Sequence, residues 1–432
     1  MTKKNEQIEW KKIAWGSLGL GLGTLGAFTF PALTGGSIIA GTLAVMFMEG
    51  KKKDPPPKKI KEVIDNLEVQ IKKKNGQILK PKIIHQHEEP YGYFLSISLP
   101  SGISDTDLFK IHREFEIATN SEIEMYEEES KVNMKIHNHK MPKIVNTNAI
   151  KEIAVASKAI ENMKLPLIIG KSRAGWEIID LILAKHILIA GETGGGKTNL
   201  FRLIAFCLMK QLQSNVKLFV IDIKRNLGFL RKYSWFAYEN DGVADIFAYL
   251  ANEMDRRYEL LDYFNKDSIE ELPPELKSKL PYLVVLIDEY GGISPELASG
   301  DEKKRRQQIS DLIVDMINRG RGCGLFLILG TQRPDAKIMS NGQIKSQMNV
   351  RFAFRTVDAD NSRIVIDNPM AAFIPQDIEG RCIFRSRAYI RQCQIMNLPR
   401  DKMLKMLPDS DHTKPDIVKD DTSKDGEIDL ID

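Results

Sequence analysis

The chain has 432 residues, of which 43% are hydrophobic and 28% are charged. This length and composition exclude a wholly disordered protein and a small disulfide-stabilised scaffold, and they allow two or three domains. The formal net charge of +4 is too small to indicate a nucleic-acid-binding surface by itself.

The charges are unevenly distributed along the chain. Residues 1–61 contain ten lysines and four acidic residues, whereas residues 408–432 contain nine acidic residues and three lysines. The four cysteines form no CxxC pair, so the sequence predicts neither a zinc site nor a disulfide framework. This cysteine usage is typical of a cytosolic protein.

Residues 13–48 are almost free of charge and are divided by Pro31. Each half provides about 17–18 apolar or small residues, roughly 26 Å of helix, against a bilayer core of about 30 Å. Lysines on both sides favour two cytoplasmic ends. We therefore expect residues 1–54 to form a two-pass transmembrane hairpin in the cell membrane, with the rest of the chain in the cytoplasm. A signal peptide and a single re-entrant or interfacial segment are the alternatives.

Residues 55–150 have the pattern of a linker followed by a small α/β domain. Three consecutive prolines from Pro55 in a lysine-rich stretch predict a stiff linker, and helical spacing follows over residues 60–74. Ser104 is a candidate N-cap of a second helix. Alternating residues predict strands over 80–86, 91–99, 122–127 and 131–137. No catalytic constellation is visible in this domain.

Residues 191–198 read GETGGGKT and match the phosphate-binding pattern GxxxxGK[ST] between an apolar strand and an apolar-faced helix. The glycines let successive N–H groups face one anion, and the helix N-terminus adds a positive dipole. Lys197 is expected to contact the β- and γ-phosphates of ATP, and Thr198 to hold Mg²⁺. The predicted nucleotide-binding residues are Gly191, Glu192, Thr193, Gly194, Gly195, Gly196, Lys197 and Thr198.

A second apolar run, LVVLI over residues 283–287, ends in Asp288 and Glu289. Such a run is typical of a strand that is buried on both faces. Asp288 is expected to hold Mg²⁺ through its water shell, and Glu289 to polarise the attacking water. An ordinary strand that ends in acidic residues is the alternative, but the position about 90 residues after the phosphate-binding loop favours the functional interpretation.

A third apolar strand over residues 325–330 is followed by Thr331 and Gln332, where a polar side chain can lie beside a γ-phosphate. A fourth strand is predicted over residues 218–223. Strands that alternate with helices predict a mostly parallel sheet covered on both faces. Ligands of such sheets bind at the carboxyl ends of the strands, where all these motifs are expected to lie.

The three motifs GETGGGKT, LVVLIDEY and RGRGCGLFLILGTQRP together resemble the FtsK/SpoIIIE family of DNA-pumping ATPases. The third is the most specific, and the resemblance covers residues 165–395. It implies a RecA-like P-loop ATPase motor over residues 151–407, preceded by a small α/β pre-motor domain. It also implies a ring, usually a hexamer, with ATP and Mg²⁺ between neighbouring subunits and DNA in the central hole.

The resemblance also suggests roles for several basic residues. Arg321 matches an arginine that reaches into the neighbouring subunit's ATP, with Arg319 as an alternative and a plain surface arginine as another. Candidate DNA-binding residues of the channel loops are Arg333, Lys345 and Arg363. The acidic sequence VDAD over residues 357–360 departs from the more basic loop of the family. This departure weakens the expectation that the channel holds duplex DNA as the chromosome pumps of the family do.

The predicted anchor, short linker and single motor resemble the coupling proteins of Gram-positive conjugative plasmids and integrative elements. That resemblance implies a DNA translocase with a relaxase and conjugation-channel proteins as partners. A chromosome or plasmid segregation pump, or a secretion-system ATPase that moves protein, are the alternatives. Residues 408–432 are expected to form a disordered acidic tail that either docks a partner or merely solubilises the chain.

Overall fold

The structure is a computed structural model that describes residues 55–66, 69–72, 76–128, 131–147, 160–210, 216–332, 342–387 and 389–407. The predicted transmembrane hairpin and the predicted acidic tail both lie outside these residues. Within the described ranges, no helix combines the length and the apolar character that crossing a membrane requires.

The described residues form the following helices and strands. The helices are α1 (Pro56–Asn66), α2 (Asp105–Lys110), α3 (His112–Thr119), α4 (Leu181–Ala184), α5 (Lys197–Lys210), α6 (Asn240–Tyr263), α7 (Pro274–Lys277), α8 (Gly300–Cys323), α9 (Gly342–Gln347), α10 (Ala359–Ile366) and α11 (Arg400–Met406). The strands are β1 (Ile71–Lys72), β2 (Ile78–Leu79), β3 (Lys82–Glu89), β4 (Gly92–Ser98), β5 (Glu122–Glu128), β6 (Lys131–His137), β7 (Val145–Asn146), β8 (Pro166–Ser172), β9 (Gly175–Asp180), β10 (Ile187–Ala190), β11 (Val216–Ile221), β12 (Trp235–Ala237), β13 (Tyr282–Ile287), β14 (Leu325–Thr331), β15 (Val350–Phe354), β16 (Arg381–Arg385) and β17 (Ile390–Asn397).

One large sheet of 11 strands organises the motor region, in the order β12-β11-β13-β14-β10-β15-β16-β17-β8-β9 with β7 beside β17. The strands from β12 to β15 run parallel, and those from β15 to β9 pair antiparallel. Every residue of β13 and β14 is buried, as expected for parallel strands that are covered on both faces. The predicted mostly parallel α/β sheet is confirmed.

The strand order brings the predicted motifs to one edge of this sheet. β10 pairs with β14 on one side and with β15 on the other, and β13 lies between β14 and β11. Because these strands are parallel, the residues that follow each of them meet at the carboxyl edge. The phosphate-binding loop, Asp288, Glu289 and Gln332 follow β10, β13 and β14 there.

A four-stranded antiparallel sheet, in the order β3-β4-β6-β5, forms the core of the small domain. Helix α1 begins at Pro56, so the predicted proline linker is shorter than expected. Proline is well tolerated in the first turn of a helix, where its missing N–H would have no helical acceptor. Ile60 and Ile64 of α1 are buried in the core.

The small domain packs directly on the motor region, and contacts group the described residues from Pro56 onward into one compact unit. Arg363 of α10 forms an ion pair with Asp105 of α2 at 2.6 Å. The rings of Phe109 and Phe373 stack with their centroids 6.1 Å apart. The two parts of the chain therefore share a polar and an apolar contact.

Candidate nucleotide-binding site

The phosphate-binding loop connects β10 to α5 and has a backbone that requires glycine. Gly191 and Gly196 have φ angles of 140° and 111°, which L side chains rarely adopt. A Cβ atom at Gly196 would lie 2.8 Å from the Cα of Gly380. The N–H of Gly380 also donates to the carbonyl of Gly195 at 3.0 Å, which holds the loop against the sheet.

Lys197 is buried at the first position of α5, and its Nζ donates to carbonyl oxygens of the loop. The acceptors are the carbonyls of Glu192, at 2.7 Å, and Gly191. Burial lowers the pKa of Lys197 from its ordinary value to about 8, although Glu289 nearby favours the charged form. A phosphate in the loop would supply the negative charge that this buried ammonium group needs.

Glu192 ties the phosphate-binding loop to the end of β15. Its carboxylate pairs with Arg355 at 2.5 Å, and its N–H donates to the carbonyl of Arg355 at 2.8 Å. Arg355 was missed by reasoning from the sequence. The only available signal was its position directly after an apolar strand.

Asp288 follows β13 and offers one free oxygen to the site. Its Oδ1 accepts the N–H of Ile223 at 3.0 Å, whereas its buried Oδ2 has no hydrogen-bond partner among the described residues. Burial, and then the neighbouring Asp222, raise the pKa of Asp288 to about 7. A buried carboxylate oxygen of this kind fits a divalent cation, so Asp288 and the hydroxyl of Thr198 are the residues that would hold Mg²⁺.

Asp222 lies near the end of the fourth predicted strand, over residues 218–223, and it shapes the turn that follows β11. It is buried, and its two oxygens accept the N–H groups of Asn226 and Leu227, each at 2.8 Å. This turn carries Lys224 to the carboxylate of Glu289, where Nζ lies 2.8 Å from Oε2. Lys224 is therefore a further residue of the site, and its position at the end of the fourth predicted strand was the only signal for it in the sequence.

Glu289 and Gln332 lie together at the ends of β13 and β14. The N–H of Gln332 donates to both carboxylate oxygens of Glu289 at 3.1 Å, and the hydroxyl of Thr331 donates to Oε1 at 3.2 Å. The side-chain oxygen of Gln332 accepts the hydroxyl of Thr193 at 3.2 Å. Gln332 thus connects the predicted water-polarising residue to the phosphate-binding loop, and its role toward the γ-phosphate stays a prediction.

Arg321 lies at the opposite end of the sheet strands from this site. It is exposed near the end of α8, and β14 begins four residues later at Leu325, so Arg321 belongs to the amino edge of the sheet. The alternative, Arg319, is held by ion pairs with Asp315 and Asp255. Arg321 cannot serve the phosphate-binding loop of its own subunit, which is consistent with a role toward a neighbour.

The predicted DNA-binding residues have different positions. Arg333 lies outside the described residues. The Nζ of Lys345 pairs with Asp367 at 2.7 Å, and Arg363 contacts Asp105 at 2.6 Å. Both described cations are therefore engaged by carboxylates of this chain, and their contact with DNA stays a prediction.

The acidic sequence around residues 357–360 has a local structural cause. The side chain of Asp358 accepts the N–H of Asn361 at 2.7 Å and caps α10. Asp360 lies in the first turn of the same helix, where the helix dipole favours a negative charge. These acids stabilise a helix N-terminus, so their presence is not evidence against duplex DNA.

Comparison with known proteins gives the same assignment as the site. The profile of the FtsK/SpoIIIE family matches residues 150–336. The chain is 31% identical over 236 residues to the DNA translocase FtsK of Chlamydia pneumoniae, a match that covers 50% of this chain and 28% of that protein. A match of 31% identity over 220 residues to FtsK of Treponema pallidum covers 48% and 26% of the two chains. The chain thus spans only a minor part of the length of these two relatives.

Among solved structures, the conjugation coupling protein TcpA of pCW3, in its monomer form with ATPγS, is similar to this chain. The sequence identity is 26% and the TM-score is 0.58, and the match covers 76% of this chain and 93% of that one. The shared fold and the motif residues gathered at one sheet edge show a P-loop ATPase domain, and residues 150–336 of this domain are similar to the FtsK/SpoIIIE family.

Proposed function

We propose that this chain is a membrane-anchored, ATP-driven DNA translocase that acts as the coupling protein of a conjugation system. The observation that carries the proposal is the convergence of the loop around Lys197, the acids Asp288 and Glu289, and Gln332 at one sheet edge. The extent of the match to TcpA, which covers most of both chains, supports the conjugative role. Residues 1–54 would supply the anchor.

The chemistry follows from the placement of these residues. Lys197 and the loop N–H groups bind the phosphates, and Asp288 and Thr198 would hold Mg²⁺, which neutralises charge that develops on the transferring phosphoryl group. Glu289 orients the attacking water. Gln332 senses whether the γ-phosphate is present and passes this on to the phosphate-binding loop, which it contacts. In a ring, Arg321 would complete the site of the neighbouring subunit from the opposite sheet edge.

ATP hydrolysis by the purified chain in the presence of DNA tests this proposal. We expect single- or double-stranded DNA to accelerate phosphate release, and Lys197→Ala to reduce it at least about 100-fold because the phosphates lose their buried cation. Lys303→Ala, an exposed position on α8, is the matched control and should leave hydrolysis unchanged.

The outcomes separate the three candidate roles. Hydrolysis that DNA leaves unchanged would contradict a DNA translocase and would favour an ATPase that moves protein. With DNA stimulation established, loss of the gene should abolish conjugative transfer. Disturbed segregation with normal transfer would favour a segregation pump of the kind that the FtsK relatives represent.

A further inference from the structure

Lys224 forms an ion pair with Glu289 that none of the sequence motifs explains. The Nζ of Lys224 lies 2.8 Å from Oε2 of Glu289, and the side chain of Lys224 is 30% exposed whereas that of Glu289 is 9% exposed. A nearly buried carboxylate that is expected to polarise water is therefore occupied by a cation.

The backbone of Lys224 is fixed, and only its side chain is free to move. Asp222 accepts the N–H groups of Asn226 and Leu227, and Asp288 accepts the N–H of Ile223. The two carboxylates thus anchor the turn on both sides of Lys224. The lysine has a flexible four-carbon stem, so its ammonium group can change partner while the turn stays in place.

The acceptor positions of Glu289 are already filled in this arrangement. A carboxylate has about four lone-pair positions. The Oε1 atom accepts from the Thr331 hydroxyl and the Gln332 N–H, and Oε2 accepts from the Gln332 N–H and from Lys224. An attacking water needs one of these positions, and on Oε2 the side chain of Lys224 is the donor that can leave without a movement of the backbone after β14.

A γ-phosphate would give Lys224 a competing partner. Lys224 pairs with Glu289 at 2.8 Å, and Gln332 joins Glu289 to the phosphate-binding loop, because its N–H donates to Glu289 and its side-chain oxygen accepts the Thr193 hydroxyl. A phosphate group bound at Lys197 carries more negative charge than a single carboxylate, and it would lie within reach of the second lysine.

We propose that Lys224 is a positioning residue that occupies Glu289 when no γ-phosphate is bound and transfers its ion pair to the γ-phosphate of ATP, which frees Oε2 for the attacking water. The inference rests on the proposed function, namely that this site binds and cleaves ATP. It gives the site a means of withholding the water-polarising carboxylate until the phosphate to be cleaved is present.

A double-mutant cycle on the full chain tests this transfer. The affinities for ATPγS and for ADP are measured by calorimetry with Mg²⁺ for the unmodified chain, Lys224→Met, Glu289→Gln and the double variant. The readout is the preference for ATPγS over ADP. Because ADP lacks the γ-phosphate, an unchanged ADP affinity shows that each variant is folded.

We expect Glu289→Gln to increase the preference for ATPγS about tenfold when Lys224 is present, because the lysine no longer has to leave a carboxylate. In the Lys224→Met background the same change should have less than about a threefold effect. Lys224→Arg should restore the larger effect. Lys303→Met, the exposed control on α8, should not alter it.

An equal or larger effect of Glu289→Gln in the Lys224→Met background would overturn the proposal. It would mean that Lys224 only reduces the negative charge of Glu289 and remains paired with it when the γ-phosphate is bound. That result would leave the proposed function intact. A failure of the unmodified chain to bind ATPγS would instead overturn the proposed function, and this inference with it.

Discussion

His186 shows how a single buried side chain can make stability depend on pH. It is fully buried, its Nε2 lies 3.1 Å from the carbonyl of Ile317, and its Nδ1 accepts the N–H of Leu327 at 3.1 Å. The ring therefore joins the end of α8 to β14 as a neutral imidazole with the proton on Nε2. Burial, together with the nearby Lys185, lowers the pKa of His186 from about 6.5 to about 4.

We expect the free energy of unfolding to fall as the pH decreases from about 6.5 toward 4, because the unfolded state then binds a proton that the folded state excludes. At pH 5 this one group should cost about 2 kcal/mol relative to pH 7.5. Urea unfolding at the two pH values measures the loss, and His186→Gln is the comparison because it does not titrate. Equal pH dependence in the two proteins would contradict this prediction.

The residues of the site differ in how visible they were in the sequence. The loop from Gly191 to Thr198 is one run of consecutive residues, and Asp288 and Glu289 form another. Within each run, the chemistry of nucleotide binding dictates which residues are needed and at what spacing. Lys224 and Arg355 act through partners on other strands, Glu289 and Glu192. These two pairings depend on strand order, so a linear pattern cannot indicate them.

At the level of elements, α10 joins the motor region to the small domain. Arg363 of α10 donates to the carboxylate of Asp105 and to the hydroxyl of Thr106, at 2.6 and 2.7 Å. The side chain of Asp105 is 13% exposed. The sequence predicts that this arginine contacts DNA, and the structure shows that it also joins two parts of the same chain.

Arg363→Ala should therefore lower the free energy of unfolding by about 1–2 kcal/mol, because a half-buried carboxylate loses its charged partner. Urea unfolding measures the change. Arg305→Ala is the matched control, since its ion pair with Asp241 is long and exposed and should contribute less than about 0.5 kcal/mol. Unchanged stability, combined with a loss of the stimulation of ATP hydrolysis by DNA, would contradict this prediction and would favour a DNA contact for Arg363.

The helices of the small domain show where local pattern was insufficient. The sequence predicts one helix that starts at Ser104. The structure divides it into α2 and α3 at Ile111, and Ile117 is 69% exposed. Leu108 and Phe115 are buried on both sides of the break, so packing against the sheet decided the path of the chain.

At the scale of the whole molecule, the two edges of the large sheet have different predicted roles. Lys197 and Glu289 lie at the carboxyl edge, and Arg321 lies at the amino edge. A head-to-tail ring would bring the amino edge of one subunit to the carboxyl edge of the next. A site assembled in this way would hydrolyse ATP only in an oligomer.

We expect Arg321→Ala to abolish ATP hydrolysis without weakening nucleotide binding, because an arginine finger stabilises the transferring phosphoryl group in the transition state. Mixing this variant with Lys197→Ala, which keeps Arg321, should restore part of the activity in shared sites. Phosphate release across a series of mixing ratios measures the rescue. Arg319→Ala should retain activity, and an absence of rescue would favour a packing role for Arg321.

The nucleotide site was accessible from the linear sequence because each of its motifs is a short run of consecutive residues. A glycine-rich loop between a strand and a helix, followed by an apolar strand that ends in two acids, is a combination that nucleotide chemistry requires and that packing alone does not. The parallel arrangement followed from the same runs, since strands buried on both faces need helices between them.

The roles of the isolated charged residues were decided only by the folded chain. Arg363 and Asp105 are 258 positions apart, and Lys345 and Asp367 are 22 apart. Whether such a cation faces solvent or a carboxylate depends on which helix packs on which strand. Long-range packing therefore gave Lys345 and Arg363, two candidate DNA contacts, carboxylate partners within the chain, and it placed Lys224 on the carboxylate of Glu289.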